Sequence, residues 1–77
     1  MELVRKYGIL EYRTGVRFYV LRRRDVERYR GVEPRLRKLH DIVMIVSSDG
    51  TTVITVYRNK KALREIKRKP KINLYRH

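Results

Sequence analysis

The 77 residues carry 21 Lys and Arg against 8 Asp and Glu, for a net charge of +13 at neutral pH, with 42% hydrophobic residues and no cysteine. That length suits one compact domain with a small core and leaves little chain for a large walled cleft. The lack of cysteine excludes disulfides and thiolate metal sites, and the hydrophobic content excludes a disordered basic tail.

Solubility alone does not require so much charge. The mutual repulsion of the cations is relieved by a polyanion that gives up its condensed counterions, so an anionic partner is expected. The N-terminal residues lack the apolar stretch of a signal peptide, and the longest apolar run, Ile42 to Val46, is far too short to cross a bilayer. A cytoplasmic protein that leaves membranes alone is expected. With no repeat or linker in view, residues 1–70 read as a single domain and 71–77 as a basic C-terminal tail.

In chain order, Tyr7 to Tyr12 and Val16 to Leu21 flank Arg13-Thr14-Gly15. β-branched and aromatic residues around a glycine predict a hairpin, so the chain is expected to open with strands, Val16, Phe18 and Val20 sharing one face. Asp25 is placed as the N-cap of a short helix that Gly31 ends, and Glu33-Pro34 opens another, with Leu36 and Leu39 turned inward. Asp49-Gly50, between the runs 42–48 and 51–58, predicts a second hairpin with a two-residue type I′ turn. Its register would set Val46 against Val53, Met44 against Thr55 and Ile42 against Tyr57. Both faces of these runs are apolar, which predicts strands in the middle of the sheet. Asn59 caps a last helix over 60–69, whose Ala62, Leu63 and Ile66 form a narrow docking stripe. The tail alternates apolar and polar residues, which suits either an added edge strand or a free end.

The chemistry is concentrated in basic residues. Lys60, Lys61, Arg64, Lys67, Arg68, Lys69 and Lys71 fall within twelve positions, offset only by Glu65. A helix would spread them around its solvent arc at a spacing that can follow phosphates. A solvated helix face usually mixes its signs to gain i,i+4 pairs, and this segment does not. Arg22, Arg23 and Arg24 form a second patch, and arginine suits bidentate phosphate contacts and stacking on bases. Six tyrosines interleave with the cations as candidate stacking platforms, though any one of them can equally be a core residue with a wet hydroxyl.

His40 is the one internal histidine. In the register above it shares a face with Ile42 and Tyr57. A base, an acid and nearby cations are the minimum for RNA cleavage without a metal, so His40 and Tyr57 form a candidate catalytic set. The chain has no nucleotide-binding glycine pattern and no metal-spaced ligands, so neither metal nor cofactor is expected.

The segment Val43 to Arg58, VMIVSSDGTTVITVYR, resembles the closing hairpin of small bacterial toxin-like proteins of the RelE-like and barnase-like ribonuclease group. The resemblance implies a compact α+β domain and metal-independent RNA cleavage, and places Tyr57 and Arg58 where such proteins often keep active-site residues. It covers about sixteen residues. The group's histidine and arginine on an N-terminal helix have no counterpart in a chain read as opening with strands.

The expected architecture is α+β, a small antiparallel sheet of two hairpins with short connecting helices and a basic C-terminal helix packed on it. The expected function is nucleic-acid binding through phosphate contacts, RNA preferred over DNA. The alternatives are a toxin-type endoribonuclease using His40, Tyr57 and Arg58, and an interaction protein for an acidic protein partner.

Overall fold

The computed structural model describes residues 2–70. The tail from Lys71 onward, with Tyr75, lies outside the described residues. The fold is α+β: helix α1 (Glu2–Tyr7), strands β1 (Ile9–Arg13) and β2 (Val16–Leu21), helix α2 (Arg23–Tyr29), a 3-10 turn (Pro34–Lys38), strands β3 (Ile42–Ser47) and β4 (Val53–Arg58), and helix α3 (Ala62–Lys67). The strands form one antiparallel sheet in the order β1-β2-β3-β4.

Alternation along β2 and β3 divides the apolar residues between two faces. On one face Tyr19, Leu21, Ile42, Met44 and Val46 pack against Val4, Val26 and Leu36 from the N-terminal helices and the 3-10 turn. On the other, Phe18, Val20 and Val43 meet Ala62 and Ile66 of α3. The docking stripe of the last helix and the inward Leu36 are as the sequence implies, and Leu39 is partly buried beside it.

Several local readings change. The chain opens with a helix, not a strand, since Leu3, Val4 and Tyr7 at helical spacing pack onto the first core. Asp25 is not the N-cap of α2. Arg22 holds that position, and Asp25, one turn later, reaches back to accept its backbone N–H at 2.9 Å. α3 is shorter than 60–69, because Asn59 first builds a turn, accepting the Lys61 N–H on Oδ1 at 2.9 Å and the Ala62 N–H on its carbonyl at 3.1 Å.

The two-residue I′ turn belongs to the first hairpin, where Thr14 (φ 51°) and Gly15 (φ 79°) are both left-handed. In the second hairpin the ladder closes where Ser47 donates to Thr52 O at 2.8 Å, leaving Ser48 to Thr51 as a four-residue loop. Asp49 Oδ1 holds it, accepting from Ser47 Oγ (2.6 Å), Thr51 Oγ1 (2.7 Å) and Thr51 N (3.0 Å).

Val46 does pair with Val53, as the sequence predicts, but Ile45 pairs with Thr55, so Ile54 is the extra residue of a β-bulge. Every later pair slips by one: Met44 faces Val56 rather than Thr55, and Ile42 faces Arg58 rather than Tyr57. Because side chains alternate, this slip moves Tyr57 to the other face of the sheet, beside Val43. The second hairpin is also not wholly central. β3 is inside the sheet, whereas β4 is an edge whose six residues are all exposed.

Gly8 joins α1 to β1 in a close passage, where an added Cβ would lie 2.5 Å from Val4 O and 2.8 Å from Val20 O. Both neighbours are backbone, so Gly8→Ala is expected to cost about 1–3 kcal/mol in urea denaturation by forcing α1 from β2. The hydroxyl and amide donors around Asp49 hold its carboxyl at a pKa of about 2, below the ordinary 3.8. A depressed carboxylate stabilises the fold above its unfolded pKa and loses that contribution as pH falls through the folded one. The melting-temperature gap between the parent and Asp49→Ala is therefore expected to be constant above about pH 5 and to narrow toward about pH 2.

Candidate nucleic-acid interface

The two basic patches lie far apart in sequence, and the sheet brings them together. β2 ends at Leu21, β3 begins at Ile42 and β4 ends at Arg58, all at one end of the antiparallel sheet. The segments leaving that end carry Arg22 and Arg24 from the first patch, and Lys60, Lys61 and Arg64 from the second. These five cations line one cleft of about 400 Å³, floored by Val20, Ala62 and Leu63 and completed by Asp41 and Asn59.

Among the described residues, the few acids near the cleft engage one of its five cations, Arg22, and leave the other four without a salt bridge. Asp25 is buried and grips Arg22 through Nε–Oδ2 at 3.0 Å and Nη2–Oδ1 at 3.1 Å, which fixes the guanidinium. The hydrogen bond to Asp25 raises the Arg22 pKa further, so its charge is permanent. Glu65 accepts a hydrogen bond from Asn59 Nδ2 at 2.9 Å. Asp41 Oδ2 lies 3.1 Å from His40 Nδ1, and its backbone, left-handed at φ 63°, accepts the Asn59 N–H at 2.8 Å. Among the described residues, no carboxylate forms a salt bridge with Arg24, Lys60, Lys61 or Arg64.

The remaining candidates are placed elsewhere. Arg23 is exposed on α2 but does not line the cleft, and Lys67, Arg68 and Lys69 are exposed at the far end of α3. Lys71 lies outside the described residues. The catalytic set is divided between the faces of the sheet. Tyr57 lies on the α3 face, where burial, then the charge of Glu65, raises its pKa. Arg58 follows it onto the opposite face and donates to Lys38 O at 2.9 Å, while the His40 ring is turned to Asp41. Among the described residues, no hydrogen bond links His40 to Tyr57.

The tyrosines divide as well. Tyr19 is buried, and Tyr7 and Tyr29 are half-buried with ring centroids 5.1 Å apart. Tyr12 and Tyr57 are exposed. Asp41 and Asn59 are the cleft residues that sequence reading does not assign to it. The sequence suggests Asn59 as the helix cap, a position that Lys61 holds, and the cleft position of Asn59 depends on the sheet register, which local pattern does not reveal.

Asp25 ties the start of α2 to the cleft's fixed arginine. Asp25→Ala is expected to cost about 1–2 kcal/mol of stability in urea titration, through loss of the cap and of the partner of Arg22. No group of His, Cys, Asp or Glu among the described residues is placed to hold a metal ion, and no helix among them is long and apolar enough to cross a membrane. No family model, curated protein or solved structure matches the chain.

Proposed function

We propose that this chain binds nucleic acid, RNA in preference to DNA, by holding the phosphate backbone in the cleft between the α2 and α3 starts. The observation that carries the reading is the convergence of Arg22, Arg24, Lys60, Lys61 and Arg64 on one concave surface, with Asp41 as its single acid. A phosphate chain entering this cleft neutralises cations that otherwise repel one another, and releases counterions as it does so. Arg22, held by Asp25, is a preorganised donor, since its side chain loses little freedom when it meets a phosphate oxygen.

The preference for RNA rests on Tyr57 as a platform for unpaired bases, which RNA presents in its single-stranded loops and ends. It is exposed on the same face as α3 and stands two residues before Asn59 at the cleft. An unpaired base of a single strand can stack there, whereas bases inside a duplex cannot. A cleft of this size accepts a few nucleotides of a flexible strand more readily than the side of a double helix.

The test compares two variants of equal charge. Arg24, Lys60, Lys61 and Arg64 changed together to glutamine remove four cleft contacts. Lys6, Arg28, Arg30 and Arg37 changed to glutamine remove the same charge from residues that do not line the cleft. On single-stranded RNA, log K is expected to fall linearly with log salt, and the cleft variant should lose about 3 units of slope, at about 0.7 per phosphate. The second variant should keep most of the parent slope. Equal losses in both would assign binding to diffuse charge instead of the cleft, and no salt-sensitive binding by the parent would overturn the reading.

A further inference from the structure

A strand at the border of a sheet presents a row of unpaired N–H and C=O groups, and proteins blunt such rows with lysines, prolines, inward charges or bulges. The two borders of this sheet differ. β1 carries the ion pair Arg13–Glu11 at 2.8 Å, and at its end the Thr14 N–H donates to Pro70 O at 2.9 Å. β4 has one charged residue, Arg58, whose guanidinium is turned back to Lys38 O. Its other blunting feature is the bulge at Ile54.

β4 is also thinly covered on its faces. α1 rests on β2 and β3, and α3 on β1 and β2. Val53 remains 49% exposed, Ile54 55%, Val56 42% and Tyr57 39%, and the strand pairing places Val56 and Tyr57 on opposite faces. An occupant must therefore supply a row of backbone donors and acceptors with apolar side chains on both sides. A base can stack on Tyr57, but a nucleic acid does not supply a strand's alternating row of backbone donors and acceptors.

From this we infer that β4 is the contact between two copies of this chain, paired antiparallel across a two-fold axis near Val56. The strand is complementary to itself in that arrangement. Arg58 of each copy meets the Val53–Ile54 end of the other, so like charges do not oppose. Lys60 and Lys61, which follow β4, run toward the Asp49 loop of the other copy. The two-fold closes the assembly, because pairing uses up both rows and leaves the protected β1 strands as the outer edges of an eight-stranded sheet.

Charge sets the conditions for association. Each copy carries +13, and a pair of six-residue strands buries less than the about 1,600 Å² of a standard interface. Self-association is therefore weak and rises with salt, the reverse of phosphate binding. The inference does not rest on the nucleic-acid reading, and the opposite salt dependence distinguishes the two.

The experiment is sedimentation equilibrium at about 100 μM protein, in about 0.1 M and about 1 M salt, where the screening length falls from about 10 Å to about 3 Å. The parent is expected to shift from monomer toward dimer as salt rises. Val56→Lys places a lysine against its own symmetry mate and should stay monomeric at both salts with an unchanged far-UV spectrum. Thr55→Lys carries the same test if Val56→Lys unfolds. Val32→Lys, an exposed apolar position outside β4, should dimerise like the parent. A parent that is monomeric at both salts, or a dimer that persists in a folded Val56→Lys or Thr55→Lys variant, overturns the inference. So does a monomeric parent that binds a strand-forming peptide of alternating Glu and Val, which would assign the row to an acidic partner.

Discussion

A single sheet with two apolar faces must be covered on both sides, and fewer than eighty residues are available to do it. β2 and β3 meet this constraint in the middle of the sheet. Tyr19, Leu21, Met44 and Val46 are sealed by α1, α2 and the 3-10 turn, while Phe18, Val20 and Val43 are sealed by α3. Each core is only a few side chains deep, so the helices are short and their inward stripes narrow. Ala62 and Ile66 are the buried residues of α3, and Val4 is the buried residue of α1. Charged side chains cannot enter such thin cores without losing their hydration. Most of the cations are therefore forced outward, many onto the segments that leave the sheet ends; Arg13, buried beside Glu11 at 2.8 Å, is an exception.

That expulsion accounts for how the basic surface is organised. A uniform coat of lysine and arginine would give a diffuse positive field. Here the few carboxylates sort the cations into engaged and free. Glu11, Asp25, Glu27 and Glu33 each hold an arginine at 3.8 Å or closer. Glu65 instead bonds to Asn59, which leaves its lysine neighbours without a partner. The free cations of the cleft follow first from the excess of 21 basic residues over 8 acids, and Glu65, bonded to Asn59, forms no salt bridge with them among the described residues. Surface ion pairs contribute little to stability, and their larger effect here is on which charges remain available.

Much of this was legible in the sequence, with limits set by the range of each signal. Both hairpins, the 3-10 segment after Glu33 and the docking stripe of α3 follow from local composition and period. The N-terminal helix is not legible because six residues with Leu3, Val4 and Tyr7 give less than two turns of periodicity, and Met1 to Tyr7 reads equally well as a lead-in to a strand. The order of the strands was not legible, and with it the meeting of Arg22 and Arg24 with Lys60, Lys61 and Arg64. That meeting depends on β2 lying beside β3, which is a long-range pairing. Asp49-Gly50 suggested a minimal turn, but three donors from Ser47 and Thr51 draw Asp49 into a wider loop. Two-sided apolarity in β4 predicts burial, although the same pattern marks an uncovered edge.

The bulge at Ile54 acts as a parity device. Between the loop and the end of the sheet, one unpaired residue decides which of two alternating sets of side chains looks toward α3 and which looks toward α1. Without it, Tyr57 would sit among the N-terminal helices and Arg58 would look toward α3, adding another cation to the cleft side. An insertion or deletion of a single residue in this strand would therefore leave the composition and charge of the chain almost unchanged while exchanging the chemistry of its two faces. In a sheet this small, the identity of a surface is set by whether a count of residues is odd or even.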